Sequence, residues 1–250
     1  MIDIEKAKKL FLEYTENYDL KEERIKSKQT HSIRVMEVSK QIAEGLKLEQ
    51  EEIKLAMIIG LLHDIARFDQ YTQYKTYKDE ESFDHGDYAV EILKKDIRKY
   101  IETDKYDTII LTAIKNHNKF RIEDNLNEKE LLFSKIIRDA DKIDIFYQAV
   151  IKPWKEYEQE ANISNIIKEA IKQHKTIENK KIKTEIPADR VIKLIAFIFD
   201  INFKISLEII KNEDYINKIL DRFKIKSEKA KQDIEEIRKI ANEYIEEQLR

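Results

Sequence analysis

Only five residues of this chain are strong helix breakers: Gly45, Gly60, Gly86, Pro153 and Pro187, spread over 250 positions. Relative to alanine, glycine costs a helix about 1 kcal/mol and proline about 3. A sequence so poor in both, and rich in Ile, Leu, Lys and Glu, meets few local obstacles to helix. The fold class it points to is all-α. Hydrophobic residues make up 42% of the chain, enough to fill one large domain or a core domain with an appended subdomain.

Apolar residues recur at helical spacing along most of the chain. One stripe is Ile4, Ala7, Phe11 and Tyr14. A second, running from about Thr30, carries Val35, Val38 and Ile42, with Gly45 expected as its C-terminal cap. A third, from about Glu49, presents Ile53, Met57, Gly60 and Leu61. Residues 65–84 are polar and aromatic and read as a long functional loop, with Ser82 or Asp84 capping the helix that follows. Within that stretch Phe68, Tyr71, Tyr74 and Tyr77 recur every three residues, the spacing of a packing edge. Later stripes are Ala89, Ile92, Leu93 and Tyr100; Tyr106, Ile109, Ile110 and Ala113; and Phe133, Ile137 and Ala140. Beyond Pro153 the sequence predicts a helix around 162–175, an apolar helix starting near Pro187, and a charged amphipathic helix with Ala230, Ile234, Ile237, Ala241 and Ile245 inward. The expected division is a core over 1–152 and a helical extension over 153–250.

Without cysteine there is no disulfide framework and no thiolate site, so any metal must be held by His, Asp or Glu. The N-terminal segment has no continuous apolar run of the signal-peptide kind, and the most apolar stretch, Val191 to Phe203, is 13 residues long and contains Lys193 and Asp200. Neither a secreted nor a membrane protein is expected, and the cytoplasm is the expected compartment. A net charge of −3 offers no general basic footprint for duplex nucleic acid, which leaves small anionic molecules as the simpler partners. The charged C-terminal helix suits a solvated face or a contact between identical chains.

The chemistry is carried by polar residues that occupy apolar stripes. His31 precedes Val35 by four and Val38 by seven; Asp64 follows Gly60 by four and Met57 by seven; His117 extends the row of Tyr106, Ile110 and Ala113; Asp141 extends that of Phe133 and Ile137. Burying a neutral polar group without a partner costs roughly 2–7 kcal/mol, so these residues need one another or a shared ion. Neutral imidazole with carboxylate is a ligand set for a divalent cation. His63 and Asp64 are adjacent, about 100° apart around a helix, so both can reach an ion at its end, and the two oxygens of Asp64 can serve two ions.

The segments THSIRV around His31, GLLHDIARF around His63-Asp64 and RDADKID around Asp141 resemble the HD-domain metal-dependent phosphohydrolases over residues 25–150. The resemblance implies an HD-type helical core in which His31, His63, Asp64 and Asp141 bind one metal. His85 in FDHGDY and His117 in IKNHNK stand where the two-metal branch of that family places ligands for a second ion. The expectation is two divalent ions, drawn from Mn, Fe, Ni, Co, Zn or Mg, with Asp64 bridging them. A water activated by the ions would cleave the phosphate ester bond of a nucleotide or other small phosphorylated molecule. The family's ppGpp-hydrolysing branch carries Glu three residues after the His-Asp pair, where this chain has Arg67. One helical turn from Asp64, Arg67 is the expected catalytic and substrate-binding cation, with Lys142 beside Asp141 as a second phosphate contact. A nucleotide-sensing regulatory module and a single-strand nuclease are the alternatives. Asp139 and Asp144 fall outside the ligand set, and His174, among polar neighbours, reads as a surface residue.

Overall fold

The structure, a computed structural model, describes residues 2–158, 160, 162–177 and 186–250. The chain divides into two compact units, Met1–Asp141 and Lys142–Arg250. Among the described residues the regular structure is helical, with no β-strand and one isolated bridge between Glu160 and Lys224. No helix among them is long and apolar enough to cross a membrane.

The first unit contains α1 (Ile4–Thr15), α2 (Glu23–Gly45), α3 (Gln50–Leu62), α4 (Ala66–Tyr74), α5 (His85–Tyr100), α6 (Asp107–Asn116) and the first part of α7 (Glu128–Ile151). Side-chain caps fix where helices start: Asp3 accepts from the Lys6 amide to open α1, and Asp84 accepts from the Asp87 amide to open α5. Most residues of the apolar stripes are buried, among them Ala7 and Phe11 of α1, Val35 and Ile42 of α2, Leu93 and Tyr100 of α5, and Phe133, Ile137 and Ala140 of α7, while Ile4, Tyr14, Val38, Met57, Ile92 and Ile109 are only partly covered.

Two glycines set how closely helices approach. At Gly60, on the face of α3 against α2, an added Cβ would lie 2.7 Å from Ser39 Oγ and 2.9 Å from both Met36 Cα and Val35 O. At Gly86, an added Cβ would sit 3.0 Å from the Lys115 carbonyl of α6 and press on the Asn118 side chain. Without a side chain at either place, α2 meets α3 and α5 meets α6 at near backbone contact.

Two local expectations are corrected. Gly45 ends α2 without taking the left-handed conformation; Lys47 takes it instead, at φ 56°. Residues 65–84 are not one long loop, because Ala66–Tyr74 forms α4 and Asp79–Glu81 a short 3₁₀ turn. The reason lies in the aromatics: Phe68 is fully buried against Phe11, Tyr14 and Tyr18, and Tyr71 is also buried. Tyr74, by contrast, is 48% exposed.

The second unit holds the remainder of α7, then α8 (Asn165–Lys172), α9 (Asp189–Ile195), α10 (Lys204–Asn212), α11 (Tyr215–Leu220) and α12 (Glu228–Leu249). The five apolar residues foreseen on α12 are all buried, and α12 packs against α8, α10 and α11. The apolar segment after Pro187 is not one continuous helix: α9 passes into a 3₁₀ turn, Ala196–Asp200, before α10 begins. Arg222 donates to the carbonyls of Ala149, Val150 and Lys152 and stacks on Tyr157, which closes the C-terminus of α7. His174 is exposed as expected, yet it stacks on Phe199 with ring centroids 5.0 Å apart.

Candidate metal centre

The first unit brings six residues together at helix ends and crossings. His31 lies within α2, His63 caps the C-terminus of α3, Asp64 follows in the next turn, His85 begins α5, His117 caps α6, and Asp141 lies in α7. All are buried except Asp141, whose side chain is 22% exposed.

Asp64 is at the centre, and its two oxygens face different partners. Oδ2 lies 3.5 Å from His31 Nε2, 3.6 Å from His63 Nε2 and 2.5 Å from Lys28 Nζ. Oδ1 lies 3.5 Å from His85 Nε2, 3.6 Å from His117 Nε2 and 3.4 Å from Arg67 Nε. Asp141 Oδ1 joins the first group, 3.1 Å from His31 Nε2 and 3.8 Å from His63 Nε2. Within each histidine pair the Nε2 atoms approach closely: 3.3 Å for His31 and His63, 3.0 Å for His85 and His117.

The other ring nitrogens explain why these atoms face inward. His63 Nδ1 is 2.8 Å from the Gly60 carbonyl and His117 Nδ1 is 2.6 Å from that of Ile114. A carbonyl only accepts, so in both rings Nδ1 carries the proton, and Nε2 is the nitrogen left to offer a lone pair to an ion. His85 Nδ1 donates to Asp79, 2.9 Å from Oδ1 and 2.7 Å from Oδ2, with the same consequence. Burial pushes His63 down to about 3 and His85 down to about 4, so both rings are neutral near pH 7. Burial pushes the Asp64 carboxyl up, but Lys28, the surrounding rings and Arg67 outweigh it and hold the group well below the usual carboxylate range.

With both Nδ1 atoms carrying the protons, the Nε2 atoms of His85 and His117, 3.0 Å apart, are placed to turn their lone pairs to a cation between them. The spacing also fits. Donors about 2.1 Å from a common ion and roughly 90–120° apart lie about 3.0–3.6 Å from one another. Two donor sets among the described residues are tight enough to share an ion, His31 with His63 and Asp141, and His63 with Asp64 and His117. His85 stands beside the second set, as near to Asp64 Oδ1 as His117 is.

Sequence reasoning missed the residues that hold these ligands. Asp79 accepts from His85, Arg67 Nη1, Gln70 and Asn118, tying α4, the start of α5 and the turn after α6 to one carboxylate. Burial pushes Asp79 up, yet His85 and Arg67 bring it below the usual range. Buried Arg138 donates to the carbonyls of Asn116 and Lys119, which fixes the turn carrying His117. Lys28 gave no sign of a role in its sequence context.

Of the two expected phosphate contacts, Arg67 lies at the centre with part of its guanidinium committed: Nη1 donates to Gln70, the Tyr77 carbonyl and Asp79. Lys142 follows Asp141 on α7 and pairs with Asp200 at 2.8 Å. Asp139 is buried and Asp144 accepts from Gln148.

Residues 29–145 match the family model of the HD domain. No curated protein and no solved structure matches the chain.

Proposed function

We propose, from the match of residues 29–145 to the HD-domain family model, that this chain is a metal-dependent phosphohydrolase that uses two divalent ions to hydrolyse a phosphate ester of a nucleotide or another small phosphorylated molecule. The observation that carries this reading is the division of Asp64, one oxygen toward His31 and His63 and the other toward His85 and His117. His31, His63, Asp64 and Asp141 would hold one ion; His85, His117 and Asp64 would hold the other. The donor set admits Mn, Fe, Co, Ni, Zn and, less readily, Mg. When bound, the ions supply a water of lowered pKa and offset charge on the phosphoryl oxygens.

The chain's own residues do the rest. Gly60 O, Ile114 O and Asp79 keep the Nδ1 protons of three histidines turned away from the centre. Arg67 braces Asp64 through Nε and the Asp79 turn through Nη1, and we assign its Nη2 to a phosphoryl oxygen. Lys142 is a weaker candidate for that task because Asp200 already engages its ammonium.

The test is reconstitution of metal-free protein with Mn²⁺, Fe²⁺, Co²⁺ or Ni²⁺, followed by assay against nucleotide and generic mono- and diesters. Turnover that Asp64→Ala abolishes is the expected result. Ion binding without turnover of any ester would instead favour the sensing module, and degradation of single-stranded RNA or DNA the nuclease.

A further inference from the structure

Lys28 is one full turn before Ser32 on α2, beside His31, and its ammonium lies 2.5 Å from Asp64 Oδ2. That oxygen faces His31 and His63, so the ammonium sits against the donor set proposed for the first ion. The two side chains differ in freedom. Asp64 is 3% exposed and fixed by its neighbours, whereas Lys28 is 21% exposed, at the end of a four-carbon stem, and passes over the Tyr77 ring at 5.4 Å. Arg67 has no such freedom, since Nη1 is shared among three acceptors and its ring contact with Tyr77 holds it in place.

We propose that Lys28 is an exchangeable cation, neutralising Asp64 when the first ion is absent and turning to the substrate's phosphoryl group when that ion is bound. The proposal rests on the phosphohydrolase reading above and adds a named substrate contact to it. Electrostatics supplies the driving force. Two cations sharing one carboxylate oxygen repel, so an arriving divalent ion removes the reason for the ammonium to stay. The flexible stem then needs only rotamer changes to leave Oδ2 for an anion placed over the centre. A phosphate dianion is such an anion, and a lysine, as a point charge, suits a terminal phosphoryl oxygen without demanding paired geometry. The aromatic wall of Tyr77 keeps the stem on the same side of the site throughout.

The arrangement makes two opposite predictions for one substitution. Lys28→Met keeps the stem and removes the charge, so Mn²⁺ should bind the metal-free protein at least about tenfold more tightly, read from the EPR signal of free Mn²⁺ during titration. Inorganic phosphate should bind the Mn²⁺-loaded variant at least about tenfold more weakly than wild type, by calorimetry. Lys28→Arg should retain phosphate binding within a few-fold. If Mn²⁺ affinity and phosphate affinity both match wild type, or if Mn²⁺ binds more weakly, Lys28 is an ordinary partner of Asp64 and the proposal fails alone. If the wild-type protein binds none of Mn²⁺, Fe²⁺, Co²⁺, Ni²⁺, Zn²⁺ or Mg²⁺, the phosphohydrolase reading itself falls, and this one with it.

Discussion

Gly60 passes so near Ser39 that a methyl group on it would lie 2.7 Å from the serine hydroxyl. His63 follows Gly60 by three residues and donates its Nδ1 proton to the Gly60 carbonyl, so the crossing of α2 and α3 and the orientation of a ligand depend on the same residue. Gly60→Ala is expected to destabilise the protein by about 1–3 kcal/mol through overpacking and to weaken ion binding with it. Adding Ser39→Ala should recover only part of the loss, because Met36 Cα and Val35 O, both 2.9 Å away, cannot yield. Urea unfolding checks this, and full recovery in the double variant would contradict it.

Ion stoichiometry separates the ligands. Elemental analysis of wild type should give about two divalent ions per chain, and His117→Ala about one, with the first set intact. Asp64→Ala should retain almost none, since both sets lose a donor and Lys28 loses its partner. A wild-type ratio near one would remove the second ion from the account.

Asp79→Ala should behave as a loss at the centre although the residue is proposed to touch no ion. It frees His85 Nδ1 to exchange its proton with Nε2 and removes one of the acceptors shared by Arg67 and Gln70. A fall of about 10–100-fold in ion affinity is expected, with folding stability reduced far less. Calorimetric titration in parallel with thermal unfolding would show whether the two effects part in this way.

Acid should destabilise the metal-free protein through its buried rings. His63 and His85 titrate near 6.5 in the unfolded chain and at about 3 and about 4 when folded. Between those values the unfolded state binds more protons, so their contribution is fully present above pH 6.5 and is lost as pH falls. The limiting slope is about 1.4 kcal/mol per pH unit for each ring. Urea midpoints in chelator at pH 7, 6 and 5 should decline, and His63→Gln should decline less steeply; parallel slopes would count against the assignment.

How much of this was legible in the sequence depends on whether a residue acts along its own helix. His31, Asp64, His117 and Asp141 interrupt apolar stripes, and a polar residue in such a place declares itself because it would otherwise be buried at a cost. Asp79 declares nothing: it stands in a polar run, and its reach to His85 exists only after the chain has turned through a 3₁₀ segment. Lys28 is likewise one lysine among many until α2 is placed beside Asp64. Helix α4 left a signal that was read as packing alone, since aromatics three apart on a short helix share one face, and here Phe68 and Tyr71 used it. The left-handed turn at Lys47 left none, because glycine two residues earlier was the conventional place for it.

The four histidines of the centre are not equally open to change. His63 and His117 take their tautomers from the main-chain oxygens of Gly60 and Ile114, which every amino acid possesses, so no substitution at those two positions removes the acceptor itself. His85 takes its tautomer from the side chain of Asp79. Of these three proton placements, only that of His85 can be rewritten by a single codon, and a chain under selection for a different ion at that position would have its shortest route there.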